Sequence, residues 1–368
     1  MDVVVVGGGV IGCAVARELA LSGLAVTLVE RDEPGANASW AAAGMLSPLA
    51  EADRADPFLS LLLRSRAMYP ELAGALRSET GLDVEYRDDG TLLVALTEGD
   101  EAELEARYRW QAAAGLAVEP LAGDEARRME PSLSRGVRRA LRFPGDHQVD
   151  NRLLARALWV AAENAGVEMR RGVEAAAVVR RGDRVEGIAT TLGDRLDADW
   201  VVVAGGSAAG RLEGLPGPLP VRPVHGQLLA LRPRPPRLRH VVTSPRGYLV
   251  PRASGRLVVG ATVEEIGFRR AVTVAGVRGL IDAALEICPA LADAPLTETW
   301  SGHRPGTPDQ RPILGEDPRV PNLVYATGHY RNGILLVPAT ARAIADVVLR
   351  RPPSIDLTPF GIDRFLGG

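Results

Sequence analysis

Lysine is absent from this chain of 368 residues, and all 43 basic side chains are arginine. Schiff-base chemistry, a phosphate-loop lysine and lysine-assisted oxygen activation are therefore excluded. Cysteine is nearly absent as well. Cys13 and Cys288 cannot build a disulfide framework or a metal cluster, and both read as reduced core residues. The five histidines, His147, His225, His240, His303 and His329, have no metal-ligand spacing, so no metal is expected. Long apolar runs are missing. The valines at 3–6 are far too few to span a bilayer, and no basic segment leads into an apolar one, so a cytoplasmic location is expected. A net charge of -3 supplies no basic surface for nucleic acid. What is left, 46% apolar and 24% charged residues, suits a globular enzyme of one or two domains.

The N-terminus is the most informative segment. Asp2 and the valines after it read as a strand buried on both faces, running into Gly7-Gly8-Gly9-Val10-Ile11-Gly12 and a helix over 13–22. Gly7 permits the tight turn, Gly9 lets the backbone approach a pyrophosphate, and Gly12 packs helix on strand. The helix N-terminus offers unpaired N–H groups and partial positive charge to phosphates. A second strand at 25–29 ends at Glu30, placed to accept both hydroxyls of an adenosine ribose at a spacing of roughly 20 residues after the last glycine. This fingerprint does not choose between NAD and FAD. Its position at the start of the chain suits a flavoprotein built around its cofactor.

Further along, Ser39-Trp40-Ala41-Ala42-Ala43-Gly44-Met45 is a run of small residues where backbone can lie against a flat ring. The pattern predicts a helix over 57–76, strands over 84–96 about the Asp89-Gly90 turn, and a solvated helix over 101–114. An amphipathic helix is expected over 151–164 and a strand over 167–170. A hairpin of 176–179 with 187–191 should turn at Gly182-Asp183. The run 200–203 reads as a buried strand ending in glycines, and strands are expected at 227–231, 247–251 and 257–262. Residues 233–236 read as an exposed turn. A strand over 323–328 delivers His329-Tyr330-Arg331-Asn332-Gly333 to a helix over 334–350.

The expected fold class is α/β. A Rossmann-type dinucleotide domain in three pieces, 1–81, 142–220 and 300–368, would be interrupted by 82–141 and 221–299, which pair into one β-rich α+β substrate domain.

These residues resemble the D-amino-acid oxidase superfamily, with its glutathione-reductase-like FAD domain, and most closely the glycine oxidases associated with thiamine biosynthesis. The resemblance rests on Ala41-Ala42-Ala43-Gly44-Met45-Leu46, the segment 251–262, Arg304-Pro305-Gly306-Thr307 and the segment 328–336. It implies a non-covalent FAD. Val10, Ile11, Glu30 and Arg31 would line the ADP portion, with Ala175 near the adenine. Ala38, Ser39, Ala43, Gly44 and Met45 would line the pyrophosphate and isoalloxazine. His329, Tyr330, Arg331, Asn332, Gly333, Ile334 and Leu335 would present backbone amides to the pyrimidine edge, where negative charge grows on reduction. Arg304 would clamp the substrate carboxylate, helped by Tyr248, and Arg331 would be a second substrate contact. The family often has methionine where this chain has Val263, which would shape the site above the flavin. His225 stands where a basic residue is common and is given no role.

The implied activity is oxidative deamination of glycine or a similar small amino acid. Hydride passes to flavin N5, oxygen reoxidises the flavin to yield hydrogen peroxide, and the imine is hydrolysed or captured for thiazole synthesis. No side-chain acid or base is required. The main alternative is a broader D-amino-acid or secondary-amine oxidase or dehydrogenase with another electron acceptor. A sarcosine oxidase fits poorly, because that family typically tethers flavin through cysteine and uses a lysine. A NAD-linked dehydrogenase and a non-catalytic flavoprotein are the readings from other classes. Self-association is the family tendency, so a homo-oligomer is the expectation.

Overall fold

The computed structural model describes residues 1–234 and 238–366, so the turn expected at 233–236 lies partly outside the described residues. Its first layer is a six-stranded sheet in the order Ile313–Glu316, Leu323–Thr327, Trp200–Val203, Asp2–Val6, Ala25–Glu30 and Glu168–Arg171. The pairings are parallel except at the Ile313–Glu316 edge. The valine run sits in the middle. Val3 and Val5 face a core that includes the helices Val10–Leu21, Asn151–Asn164 and Val337–Val348, while Val4 faces the opposite core with Val201 and Val203. Each valine buried this way contributes about 1.5–3 kcal/mol relative to exposure, which is why a central parallel strand reads as an unbroken apolar run. On the other side lies the hairpin Ala175–Arg181 with Arg184–Thr190, joined by Arg195–Asp197.

The second layer is an eight-stranded sheet in the order Leu296–Gly306, Arg222–Leu231, Leu257–Gly260, Gly247–Pro251, Val241–Ser244, Thr91–Ala95, Arg139–Phe143 and Glu119–Ala122. The Leu296–Gly306 strand pairs with Arg222–Leu231 over almost its whole length, so the expected boundary between 299 and 300 falls inside one strand. The helix Val274–Ile287 packs through Leu280, Ala284 and Ile287 onto this sheet.

Three expectations need correction. The helix over 57–76 is two helices, Pro57–Ala67 and Tyr69–Thr80, meeting at Met68. Pro70 has no N–H and its ring would strike the carbonyl of Arg66 in a continuous helix. The break turns two hydroxyls toward one target: Ser65 Oγ donates to the Leu335 carbonyl at 2.7 Å and the Tyr69 phenol donates to the Ile334 carbonyl. Residues 84–96 are not a hairpin. Only Thr91–Ala95 is a strand, flanked by Val241–Ser244 and Arg139–Phe143, while Arg87 pairs its backbone with Gln148 in both directions at 2.9 Å. Leu92, Leu93, Val94 and Ala95 are all buried, and such a strand needs partners on both sides that a local turn does not supply. The last helix begins at Val337, not 334, because Tyr330 takes a left-handed conformation at φ 49° and residues 330–332 form a short 3-10 turn instead.

One ion pair ties the helix Glu98–Ala113 to the turn before Tyr248. Thr97 and Asp100 form a capping box at that helix N-terminus, and the buried Asp100 carboxylate also receives Arg246 Nη2 at 2.6 Å and Nη1 at 3.2 Å. Hydrogen bonding from the Arg246 guanidinium is the main reason the Asp100 carboxyl lies well below the usual carboxylate range. A depressed carboxylate stabilises the fold above its unfolded pKa, near 4, and the contribution disappears as the pH falls below that value. Asp100→Asn should therefore lower stability at pH 7 by about 2–3 kcal/mol. Paired chemical-denaturation curves should show the gap from wild type closing below about pH 4.

Candidate active site

A cavity of about 1590 Å³ runs between the two sheets, larger than the roughly 300–1,000 Å³ typical of a small-molecule pocket and matched to a dinucleotide plus a small substrate. At one end stands the glycine-rich turn. Gly7 has φ 110°, and a Cβ there would lie 2.5 Å from the Ala204 carbonyl. A Cβ at Gly12 would lie 1.8 Å from the Gly7 carbonyl oxygen, so the helix rests directly on the turn. The helix starts at Val10 with Gly9 as its cap, no capping side chain and no acid in its first turn. Its N-terminal dipole is thus left to whatever lies in the cavity, which Gly9, Val10 and Ile11 line. Ser39 Oγ accepts from the Val10 N–H at 3.1 Å and stands at the same spot.

Glu30 lines the cavity with its carboxylate already ordered. Oε2 accepts from the Gly8 N–H at 2.6 Å and Oε1 from the Asp32 N–H at 2.9 Å. Burial pushes its carboxyl up, and those two amides pull it back. Arg31 pairs with Glu174 at 3.1 Å, next to Ala175. Ala38, Ala43, Gly44 and Met45 follow along the same wall. Gly44 has φ 70°, and a Cβ there would lie 2.0 Å from the Val149 carbonyl oxygen. The donor set fits FAD: open helix amides for a pyrophosphate, a fixed carboxylate for ribose hydroxyls, and a wall of small residues for a flat ring.

The other end carries polar side chains. Arg304 Nη1 donates to the Thr262 carbonyl at 3.2 Å and more weakly to the His225 carbonyl at 3.4 Å. No acid lies within ion-pair reach of it among the described residues. Its guanidinium lies over Gly226, where a Cβ would be 2.3 Å from Nη1. The Tyr248 ring lies over Gly260 in the same way, a Cβ there falling 2.3 Å from the phenol oxygen. Burial pushes the Tyr248 phenol up, against the pull of Arg304. Val263, Arg331, Tyr330, Asn332, Gly333 and Ile334 complete this end. His329 also lines it, but burial pushes its pKa down to about 3, so the imidazole is neutral, with Nε2 3.1 Å from Thr340 Oγ1.

Two expected site residues stand apart from the cavity wall. Gly12 acts through packing, as above, and Leu335 is buried in the core with its carbonyl held by Ser65. The segment 329–335 also precedes the last helix rather than opening it, so any amides offered there come from turns and not from the helix terminus. Neither cysteine lines the cavity, and both are buried free thiols.

Glu51 and Arg107 are wall residues that sequence reasoning missed. Glu51 ends the short helix Pro48–Glu51. Its side chain is open to the cavity yet crowded by surrounding protein, which pushes its carboxyl up, while the fields of Arg331, Arg304 and Arg107 draw it back. Arg107 donates to the Leu49 carbonyl at 3.4 Å and to the Ala52 carbonyl, flanking Glu51 on both sides. Beneath that helix, buried Asp146 accepts the Leu49 N–H at 3.3 Å and the Ala50 N–H at 3.1 Å.

The combination of dinucleotide turn, ring-sized wall and free arginine defines a flavin-dependent oxidoreductase. Residues 2–347 match the model of the FAD dependent oxidoreductase family, and the chain belongs to that family. It is 39% identical over 378 residues to a bifunctional protein ThiO/ThiG of Trichormus variabilis; the match covers 99% of this chain and 55% of that protein, so the chain spans about half the length of this relative. The crystal structure of glycine oxidase from Geobacillus kaustophilus superposes with a TM-score of 0.94 at 39% identity, covering 98% of each chain. That of iminodiacetate oxidase from a Chelativorans species gives 0.88 at 30% identity, covering 98% of each. Among the described residues no helix is long and apolar enough to cross a membrane.

Gly12→Ala tests the turn. With backbone 1.8 Å from the new methyl carbon, the helix has to shift, at a cost of about 3 kcal/mol or more. The purified variant should lose most of its flavin absorbance per chain and melt earlier than wild type.

Proposed function

We propose that this enzyme oxidises glycine or a similarly small amino acid to its imine, with oxygen as electron acceptor and FAD held without a covalent link. The observation that carries this reading is Arg304: an arginine without an acidic partner, fixed by backbone carbonyls, at the end of the cavity opposite the dinucleotide turn. A planar fork free of an ion pair is what a substrate carboxylate requires, since two parallel charge-assisted hydrogen bonds then fix its plane as well as its position. Tyr248, over Gly260, supplies a further hydroxyl donor, and Val263 and Arg331 bound the space above.

Bound FAD supplies the two-electron acceptor for the hydrogen on the substrate α-carbon. The chain's own residues orient and select. Arg304 and Tyr248 hold the carboxylate, the 41–45 wall supports the ring, and the turns at 329–335 offer amides where charge collects. No nucleophile or side-chain base is needed, in keeping with a buried neutral His329 and thiols outside the cavity. Hydrogen peroxide is the reduced oxygen product. Release of the imine to thiazole synthesis, and assembly into a homo-oligomer, belong to the same reading and rest on the family resemblance.

Glu51 adds charge selection. It is a carboxyl among three arginines, and a second anionic group on the substrate would have to share those arginines with it. The wall therefore favours amino acids with one carboxylate over dicarboxylic amines.

Anaerobic titration of the holoenzyme with glycine, sarcosine, D-alanine and D-proline, followed by air, tests the reading. Glycine should bleach the flavin, and oxygen should restore it with peroxide formed. A flavin that none of the four bleaches would refute the assignment, and one restored only by a quinone or dye would favour the dehydrogenase alternative. Arg304→Ala should raise the apparent KM for glycine by about 100-fold or more. Glu51→Gln should improve kcat/KM for iminodiacetate relative to glycine by about 10-fold, as removal of a competing charge worth about 1.4 kcal/mol would do.

A further inference from the structure

The carboxylate clamp is only as well placed as the segment that holds it, and that segment is irregular. The strand Leu257–Gly260 pairs with Arg222–Leu231 up to Leu228 opposite Gly260, and the contact resumes with His225 opposite Glu264. The departing strand thus carries one residue more than its partner, a bulge at Ala261. Beyond it, Thr262 turns its carbonyl onto Arg304 and Val263 lines the cavity.

A bulge interrupts the ladder, so something else has to fix the re-aimed residues. Glu264 does so with its side chain. Oε1 accepts from Thr262 Oγ1 at 2.5 Å and from Gln227 Nε2 at 2.7 Å, and Thr262 Oγ1 in turn accepts from the Gln227 N–H at 2.8 Å. Oε2 stands 3.4 Å from Nδ1 of His225, a fully buried imidazole whose ring nitrogens have no hydrogen-bond partner. The backbones of 225 and 264 exchange two hydrogen bonds of 2.9 Å. The two carbonyls that hold Arg304, those of Thr262 and His225, therefore belong to the two segments that Glu264 locks together.

We propose that Glu264 is a positioning residue for Arg304: its carboxylate bridges the bulge and thereby sets the guanidinium for the substrate carboxylate. The proposal rests on Arg304 being the anchor, and it assigns a function to a position without a role in the sequence analysis.

A double-mutant cycle on the flavin-loaded enzyme tests it, with kcat/KM for glycine measured in the linear range and KM and kcat separated where saturation is reached. Glu264→Ala should raise KM about 10-fold with kcat within twofold of wild type, and it should weaken acetate, followed by its perturbation of the flavin spectrum, by a similar factor. Glu264→Gln, which keeps an oxygen for the Thr262 hydroxyl, should recover most of the loss. On the Arg304→Ala background, Glu264→Ala should change kcat/KM by less than twofold, since a residue acting through Arg304 has nothing left to act on. Equal losses on both backgrounds, or a fall in kcat with KM unchanged, would overturn the proposal. Should Glu264→Ala fail to load flavin, Thr262→Val carries the same cycle, because it removes the hydroxyl that ties Glu264 down while leaving the carbonyl. Unaltered kinetics in Arg304→Ala alone would sink the anchor reading instead, which is a separate result.

Discussion

Several of the close approaches between segments lining the cavity occur at a glycine, where the missing Cβ sets the distance. Gly12 lies against the turn at Gly7, Gly44 against the Val149 carbonyl, and Gly302 against Ala41, where an added Cβ would be 2.4 Å from the alanine methyl. Gly226 and Gly260 do the same for side chains, allowing the Arg304 guanidinium and the Tyr248 ring to lie flat on backbone. Packing at this density leaves the anchors few alternative rotamers. It makes the substrate end a surface whose position is inherited from two sheets, with the bulge at Ala261 as an irregular joint.

Much of the fold was legible because its central elements have strong, local signatures. The valine strand, the helix Asn151–Asn164 with Asp150 capping Arg152 and Leu153, and the hairpin turning at Gly182 all follow from period and turn chemistry. What failed depended on distant partners. Residues 84–90 look like half a hairpin, yet the Arg87 backbone pairs with Gln148, and the Asp89 carboxylate accepts from the side chains of Arg87 and Arg239. The apolar period of 57–76 carries straight through Met68, and only the proline at 70 records the break. The last helix starts late because Tyr330 adopts a positive φ, which sequence does not announce for a tyrosine.

At the site, glycine spacing and the matched segments picked out residues that, all but Gly12 and Leu335, line the cavity, because backbone approach and the proposed carboxylate clamp each demand a particular residue type. Glu51 and Arg107 were not legible. Arg107 lies on a helix that reads as charged and solvated, and Glu51 carries no local signature, so neither stands out until the sheets are assembled around them. Glu264 was hidden for a related reason: its role depends on an extra residue in a strand, which becomes visible only when the register is known on both sides.

The burial of the two thiols bears on the peroxide that the proposed oxidase reaction would release. Cys13 and Cys288 are each 1% exposed, and burial raises both thiol pKa values, Cys288 to about 11. Attack by peroxide requires a thiolate within reach, and neither sulfur meets that condition at neutral pH. Met45 is different. It lines the cavity, so under the proposed reaction peroxide would form next to this residue, and conversion of its thioether to the sulfoxide would put a polar group at the wall. If the proposed reaction holds, residue 45 is where slow self-inflicted damage would fall, while the two thiols are spared.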